Sequence, residues 1–252
     1  MSNTTHARRM RTSLLGAAAA LALCVGPAAL SAPTQDTQVM TTEQTLSPKQ
    51  QAIPPIAAAT ASGDMPKLNA SLNQGLDAGL TVSDAKEILV QLYAYAGFPR
   101  SLNALGELMK VTADRKQRGI QDAAGRQPGP VPTGKDLLAV GTANQTKLSG
   151  APVKGPLFEF APAIDEYLKT HLFGDIFARD NLDWQSRELA TVGALAAMPG
   201  VESQLRSHIK IGMNVGLSEP QLRHLAKVLM ERGYPEAGER ARLALEQPVA
   251  AQ

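Results

Sequence analysis

The chain has 252 residues, 44% of them hydrophobic and 19% charged, so it can bury a core and global disorder is excluded. Its formal charge of +2 comes from Arg8, Arg9 and Arg11: residues 1–31 hold no Asp or Glu, and the remainder carries 22 basic against 23 acidic side chains. That balance argues against a nucleic-acid partner, and no apolar run of about twenty residues after the first thirty permits a membrane bundle.

The N-terminus reads as a secretory signal over residues 1–32. A basic stretch from His6 to Arg11 precedes an apolar run from Leu14 to Val25, and small residues follow at Ala28, Ala29, Ser31 and Ala32. Cleavage after Ser31 and a periplasmic destination are expected. The alternative is an uncleaved anchor, for which the run is short. Cys24, the only cysteine, lies inside this segment. A processed chain therefore has no thiol, which excludes a disulfide, a Cys nucleophile, a dithiol redox pair and a Cys-ligated metal.

Residues 33–49 are polar and read as a flexible leader. Helical periodicity begins at Gln50 and defines a first unit over 50–112. In it Ser83 and Asp84 are placed to cap a helix with Glu87 in its first turn, and Ile88, Leu89, Leu92 and Tyr95 supply an apolar face. Gly97 and Pro99 interrupt, and Leu102, Leu105 and Leu108 mark the next helix. Seven Gly and five Pro between Ala113 and Pro156 read as a loop-like connector over 113–156. A second helical unit spans 157–247. No β-branched alternation occurs, so the fold class is all-α.

The two units are related by a shift of 137 residues. Ala57, Gly63, Leu68, Gly75, Gly79 and Leu80 then fall on Ala194, Gly200, Leu205, Gly212, Gly216 and Leu217. After a one-residue gap, Gly97 and Pro99 fall on Gly233 and Pro235. An internal duplication accounts for this pattern. The copies differ in polar content: His208 falls on Ser71, and Arg187 and Glu188 fall on Gln50 and Gln51. The first unit thus lacks the groups suited to acid–base chemistry, and the second retains them.

Within the second unit, Leu205, His208, Ile209 and Gly212 share one helical face, which turns His208 inward. An imidazole there suits general acid or base work, and equally a satisfied core position. On the helix from Asp183 to Met198, Leu189, Val192, Gly193 and Ala196 form the buried stripe, flanked by Arg187 and Glu188. Glu188 suits proton transfer or orientation of a histidine, and Arg187 suits a substrate carboxylate; a solvated ion pair is the plain alternative. Asp175, after Gly174, reads as the cap of a following helix. His171 and His224 read as exposed, and Trp184 as a packing residue. No phosphate loop, nucleophile elbow or zinc-protease motif is present, and three histidines outside the signal leave an all-protein metal site without support in the sequence, so no metal is expected.

Several motifs resemble the carboxymuconolactone decarboxylase family, related to alkylhydroperoxidase D. They are Phe173-Gly174-Asp175-Ile176, Leu182, Arg187-Glu188-Leu189, Gln204-Leu205-Arg206-Ser207-His208 and Gly216-Leu217-Ser218. The first unit adds Gly79-Leu80-Thr81, Glu87-Ile88 and Tyr95-Ala96-Gly97-Phe98-Pro99. The resemblance covers most of residues 50–245. It implies two alkylhydroperoxidase D-like helical units, assembly into a homo-oligomer (a trimer of this tandem chain) and cofactor-free removal of CO2 from a carboxylated lactone. His208 matches the family's active-site histidine, Glu188 and Arg187 its polar neighbours, and His171 a histidine ahead of Gly-Asp-Ile. Where the peroxidase branch carries a Cys pair, this chain reads Gly200-Val201-Glu202-Ser203, so thiol peroxidase chemistry is not carried over. The expected activity is a lyase or isomerase on a small carboxylate or lactone; a non-catalytic binding or assembly protein on the same fold is the alternative.

Overall fold

The structure is a computed structural model that describes residues 45–134 and 136–247. The signal segment and most of the leader therefore lie outside the described residues. The described chain is helical, with no strand among the described residues and no helix there long and apolar enough to cross a membrane.

The first unit comprises α1 (Pro48–Ser62), α2 (Met65–Asp77), α3 (Val82–Gln91), the single turn α4 (Tyr93–Ala96) and α5 (Phe98–Gln117). The second contains α9 (Trp184–Ala197), α10 (Glu202–Asn214), α11 (Glu219–Glu231) and α12 (Pro235–Glu246). Between them lie α6 (Asp136–Ser149), α7 (Pro156–Phe160), α8 (Pro162–Tyr167) and a π-helical stretch, Leu168–Ile176.

The duplication is visible in packing as well as in order. The α1–α2, α2–α5 and α3–α5 contacts are answered by α9–α10, α10–α12 and α11–α12. A side chain at Gly75 would meet Leu80 Cδ1 at 2.8 Å, and one at the matching Gly212 would meet the matching Leu217 Cδ1 at 3.3 Å. Thr81 and Asp84 form a reciprocal capping box at the start of α3, as do Ser218 and Gln221 at α11. The cap of α3 is thus Thr81, with Ser83 and Asp84 already inside the helix.

Helices α1 and α9 form the centre and pack on each other. Each is buried all round, from Ala52 to Ala61 and from Ser186 to Ala196. Ala-rich surfaces and Gly193 allow this approach: a Cβ at Gly193 would lie 2.8 Å from the Pro54 backbone. Pro54 and Pro55 lie inside α1, where each removes a backbone donor. The main core adds Ile53, Ile56, Leu68, Leu72, Ile88, Leu89, Leu189, Leu205, Leu225 and Leu229. Each such side chain, fully buried, contributes about 1.5–3 kcal/mol.

The Gly/Pro-rich connector is not a loop throughout. α5 continues to Gln117, and α6 forms over Asp136–Ser149. α6 packs on the π-helical stretch, where a Cβ at Gly141 would fall 1.6 Å from the Lys169 carbonyl oxygen. Gly141 therefore serves a close helix contact rather than a turn. A smaller core of Leu148, Leu172, Phe173, Ile176, Phe177 and Ile211 lies here, with Tyr93, Tyr95 and Trp184 packed against it.

Candidate active site at the junction of the two repeats

The inward face read for α10 is observed: Leu205, His208, Ile209 and Gly212 are all buried. His208 Nδ1 lies 2.8 Å from Glu188 Oε2 on α9, and the Glu188 side chain is fully enclosed. A carboxylate at that distance holds the proton on Nδ1 and leaves Nε2 as the basic nitrogen. The His208 side chain keeps 11% exposure. The Tyr95 and His208 rings meet in a T-shaped contact, with centroids 5.4 Å apart. The Tyr95 phenol pKa is pushed up, first by burial and then by the nearby Glu188 charge. The first repeat thus reaches the dyad through α4.

Arg187 and Glu188 are not a solvated ion pair. They part to opposite partners, and both are fully buried. Arg187 donates through Nη2 to Glu87 Oε1 at 2.9 Å and to the Arg179 carbonyl at 2.8 Å, and through Nη1 to Gln91 Oε1 at 3.1 Å. Its guanidinium also lies 5.7 Å from the Phe177 ring centroid. Glu87 in turn accepts from Arg179 Nε at 2.8 Å and Asn181 Nδ2 at 3.0 Å. Burial raises the Glu87 pKa, but hydrogen bonds from Arg179 and Arg187 outweigh it, and the carboxyl rests below the usual glutamate range. Burial also lowers the Arg187 pKa, against the contrary pull of Glu87. Gln91 Nε2 closes the network with bonds to the Arg187 carbonyl and Thr191 Oγ1.

Four buried polar atoms around this centre have no hydrogen-bond partner among the described residues: Tyr95 Oη, Asn181 Oδ1, Glu188 Oε1 and Arg187 Nε. They leave the dyad in contact with donor and acceptor capacity that the fold itself does not consume.

His171 is not part of this pair. It is exposed, its Nδ1 lies 2.7 Å from Asp175 Oδ2, and its ring lies 5.4 Å from that of Tyr93. Asp175 is therefore a partner of His171 within the π-helical stretch, not the cap of a following helix. The cap of α9 is Asp183, which accepts from Ser186 N at 2.8 Å. His224 is half-buried rather than on the surface: its Nδ1 accepts from Leu46 N at 3.0 Å. Trp184 packs, donating to the Phe177 carbonyl at 3.1 Å.

Glu87, Gln91 and Tyr95 belong to the site's surroundings and carried no such role in the sequence. A signal was present: Ser83, Glu87 and Gln91 recur every four residues as a buried polar stripe on α3. Two open clefts lie elsewhere, one of about 560 Å³ beside Asn73, Asp77 and Arg115, the other of about 340 Å³ beside Lys67, Tyr234 and Arg240. Neither is lined by His208.

The model of the Carboxymuconolactone decarboxylase family matches residues 27–109 and 162–247, so both repeats are recognised separately. No curated protein matches the chain.

Proposed function

Since the chain belongs to the carboxymuconolactone decarboxylase family, we propose that its second repeat is the working half of an exported, cofactor-free lyase or isomerase acting on a small carboxylated or lactone substrate. The observation that carries this reading is the 2.8 Å contact between His208 Nδ1 and the enclosed Glu188 carboxylate. A histidine tied so to a buried carboxylate keeps one orientation and one tautomer.

In a decarboxylation, the C–CO2⁻ bond breaks, CO2 leaves, and the bonding pair is delocalised into the adjoining unsaturation. Protonated His208 then gives that carbon its proton from Nε2. In an isomerisation, neutral Nε2 first takes a proton from carbon and returns it to a second carbon. Arg187, enclosed by Glu87, Gln91 and the Arg179 carbonyl, does not suit direct capture of a substrate carboxylate. We assign it to holding the floor of the site. His171 lies against Tyr93 and His208 against Tyr95 on the short helix α4; the role of His171 at the substrate's anionic end rests on the family resemblance alone. The export of this enzyme rests on the signal-like residues 1–32, and mass measurement of the mature N-terminus tests it.

The same enclosure of Arg187 favours the second reading, a binding or assembly protein without turnover. The two are separated by incubating the purified chain with a panel of unsaturated lactone carboxylates and following substrate loss and ¹³CO2 release. His208→Gln and Glu188→Gln are run in parallel, with circular dichroism to verify the fold. The enzyme reading expects turnover that falls at least about 100-fold in His208→Gln. Turnover undiminished in that variant sinks it; saturable binding with no turnover by the wild type supports the second reading.

A further inference from the structure

The smaller of the two open clefts, about 340 Å³, is built from both repeats. Gly63, Asp64 and Lys67 reach it from the junction of α1 and α2, and Tyr234 and Arg240 from the start of α12. His208 is not among its walls, so it is a place apart from the dyad. Its size is that of a small-molecule site, for which roughly 300–1,000 Å³ is usual.

The polar groups that the fold leaves unused in this cleft are nearly all donors. Arg240 gives its Nε to the Ala196 carbonyl at 2.7 Å, which fixes the guanidinium, while its two Nη groups have no hydrogen-bond partner among the described residues. Helix α12 starts at Pro235 with no capping side chain on Tyr234, so the peptide N–H groups of Glu236 and Ala237 open the helix uncapped. Tyr234 is 7% exposed, and its enclosed phenol oxygen has no hydrogen-bond partner among the described residues. Burial, and after it the charge of Asp64 on the same cleft, push the phenol pKa up, so the group stays an O–H donor. A buried hydroxyl left idle costs stability unless something from outside the fold engages it.

The opposing charges are partly consumed. Asp64 caps α2 by accepting from Lys67 N at 3.1 Å, and it lies 3.4 Å from Lys67 Nζ. That ammonium also donates to the Gly233 carbonyl at 2.9 Å and stands 4.6 Å from the Tyr234 ring centroid. Glu236 is exposed at the rim. The matched place in the other repeat shows that the fold does not demand these groups. Tyr234, Glu236 and Arg240 fall on Phe98, Arg100 and Ala104, and Lys67 falls on Gln204. A helix start of the same kind is thus built there without the hydroxyl and without the guanidinium.

We infer that this cleft binds a small carboxylate monoanion, held by the Arg240 Nη groups, the Tyr234 hydroxyl and the first peptide N–H groups of α12. Lys67 is the movable part. Its side chain is 46% exposed, so it swings off the Tyr234 ring to admit the ligand and adds its charge from the open side. Asp64 and Glu236 set the limit on ligand charge: two carboxylates beside the cleft repel a dianion such as phosphate more than a monoanion. Because the walls come from both repeats, a bound carboxylate clamps one to the other and stabilises the chain by mass action.

The test titrates the purified, ¹⁵N-labelled chain with sodium acetate, sodium benzoate and sodium phosphate, each at fixed pH and ionic strength. The expected result is a saturable shift of the Glu236 and Ala237 amide signals with the carboxylates, a rise in melting temperature, and binding of phosphate at least about tenfold weaker. Tyr234→Phe removes a hydroxyl that no protein group uses, so without ligand it should melt at or above the wild-type temperature. It should nevertheless bind the carboxylates about tenfold more weakly. Arg240→Lys keeps the charge, loses the fork of donors and should weaken binding by a similar factor. His208→Gln should leave the shifts at Glu236 and Ala237 unchanged. The proposal is overturned by no saturable shift with either carboxylate, by phosphate binding as tightly, or by wild-type affinity in Tyr234→Phe. Loss of the shifts in His208→Gln would place the probe at the dyad and overturn it too. Turnover enters nowhere, so this cleft stands or falls apart from the assignment of His208.

Discussion

Replacing Glu87 by Gln removes one charge from a site that is 2% exposed and leaves the Arg187 guanidinium, fully enclosed, without a carboxylate. The magnitude follows from what Glu87 holds: Arg187 Nη2 at 2.9 Å, Arg179 Nε at 2.8 Å and Asn181 Nδ2 at 3.0 Å. An amide keeps one accepting oxygen but turns two donor hydrogens toward a cluster of donors. Breaking a buried pair in this way costs about 3–5 kcal/mol. For a chain of this size that lowers the melting temperature by roughly 6–20 °C. Urea unfolding followed by circular dichroism measures it, with Glu219→Gln as the control. Glu219 pairs with Arg223 at 2.7 Å, but both side chains are about half exposed, and its loss costs under about 1 kcal/mol. The acid limb of stability gives a second reading of the same group. The folded pKa of Glu87 lies below its ordinary value of 4.5, so its contribution is complete above that pH and drains away as pH falls through the folded pKa. The Gln variant should therefore lose less stability than wild type below pH 4.5. A Glu87→Gln cost as small as that of Glu219→Gln, with an unchanged acid limb, would refute the reasoning.

Burial and the neighbouring Lys227 lower the His224 pKa from 6.5, so the neutral ring is the one that accepts from Leu46 N. The His224 contribution should be lost as pH falls below about 6.5, because the unfolded chain takes up the proton first; pH-dependent urea melts of wild type and His224→Gln check this, and the variant should show the smaller decline. Gly193→Ala should cost about 1–3 kcal/mol, since its methyl meets the Pro54 backbone at 2.8 Å. Gly106→Ala, with nothing within 4 Å, should stabilise α5 by about 0.5–1 kcal/mol, and thermal melts of the two show the opposite signs. Gly141→Ala forces α6 away from the Lys169 carbonyl. Hydrogen exchange should then speed up in Asp136–Ser149 and Leu168–Ile176 while α1 and α9 stay protected.

What the sequence disclosed follows how local each signal is. The buried face of α10 needs only the spacing of Leu205, His208, Ile209 and Gly212, and it was read correctly. The duplication needs only matched glycines and leucines, and the paired contacts of Gly75 with Leu80 and Gly212 with Leu217 follow from it. Arg187 and Glu188 look alike in sequence, two charges beside an apolar stripe. Their separate fates depend on α3, about a hundred residues earlier, where Glu87 and Gln91 wait for the arginine. Helix α6 stayed hidden because Gly141 and Gly150 weight the composition toward loop. Only the partner surface at Lys169 explains why a glycine belongs in that helix. The π-helical stretch holding His171 has no periodic signature that could announce it.

The bond from Glu87 to Arg187 ties the first repeat to the second, and it occurs once. In a dimer of two identical subunits related by a two-fold axis, every such contact would appear twice, and each subunit would have to carry both the acid and the base. Here the position matching Glu87 is His224, and the position matching Arg187 is Gln50. Joining the halves in one chain has released them from that reciprocity. One half has specialised as the counter-charge and the other as the bearer of the imidazole, so the halves are no longer interchangeable. Two copies of the second repeat, paired as the halves are here, would set Arg187 facing His224 with no carboxylate between them.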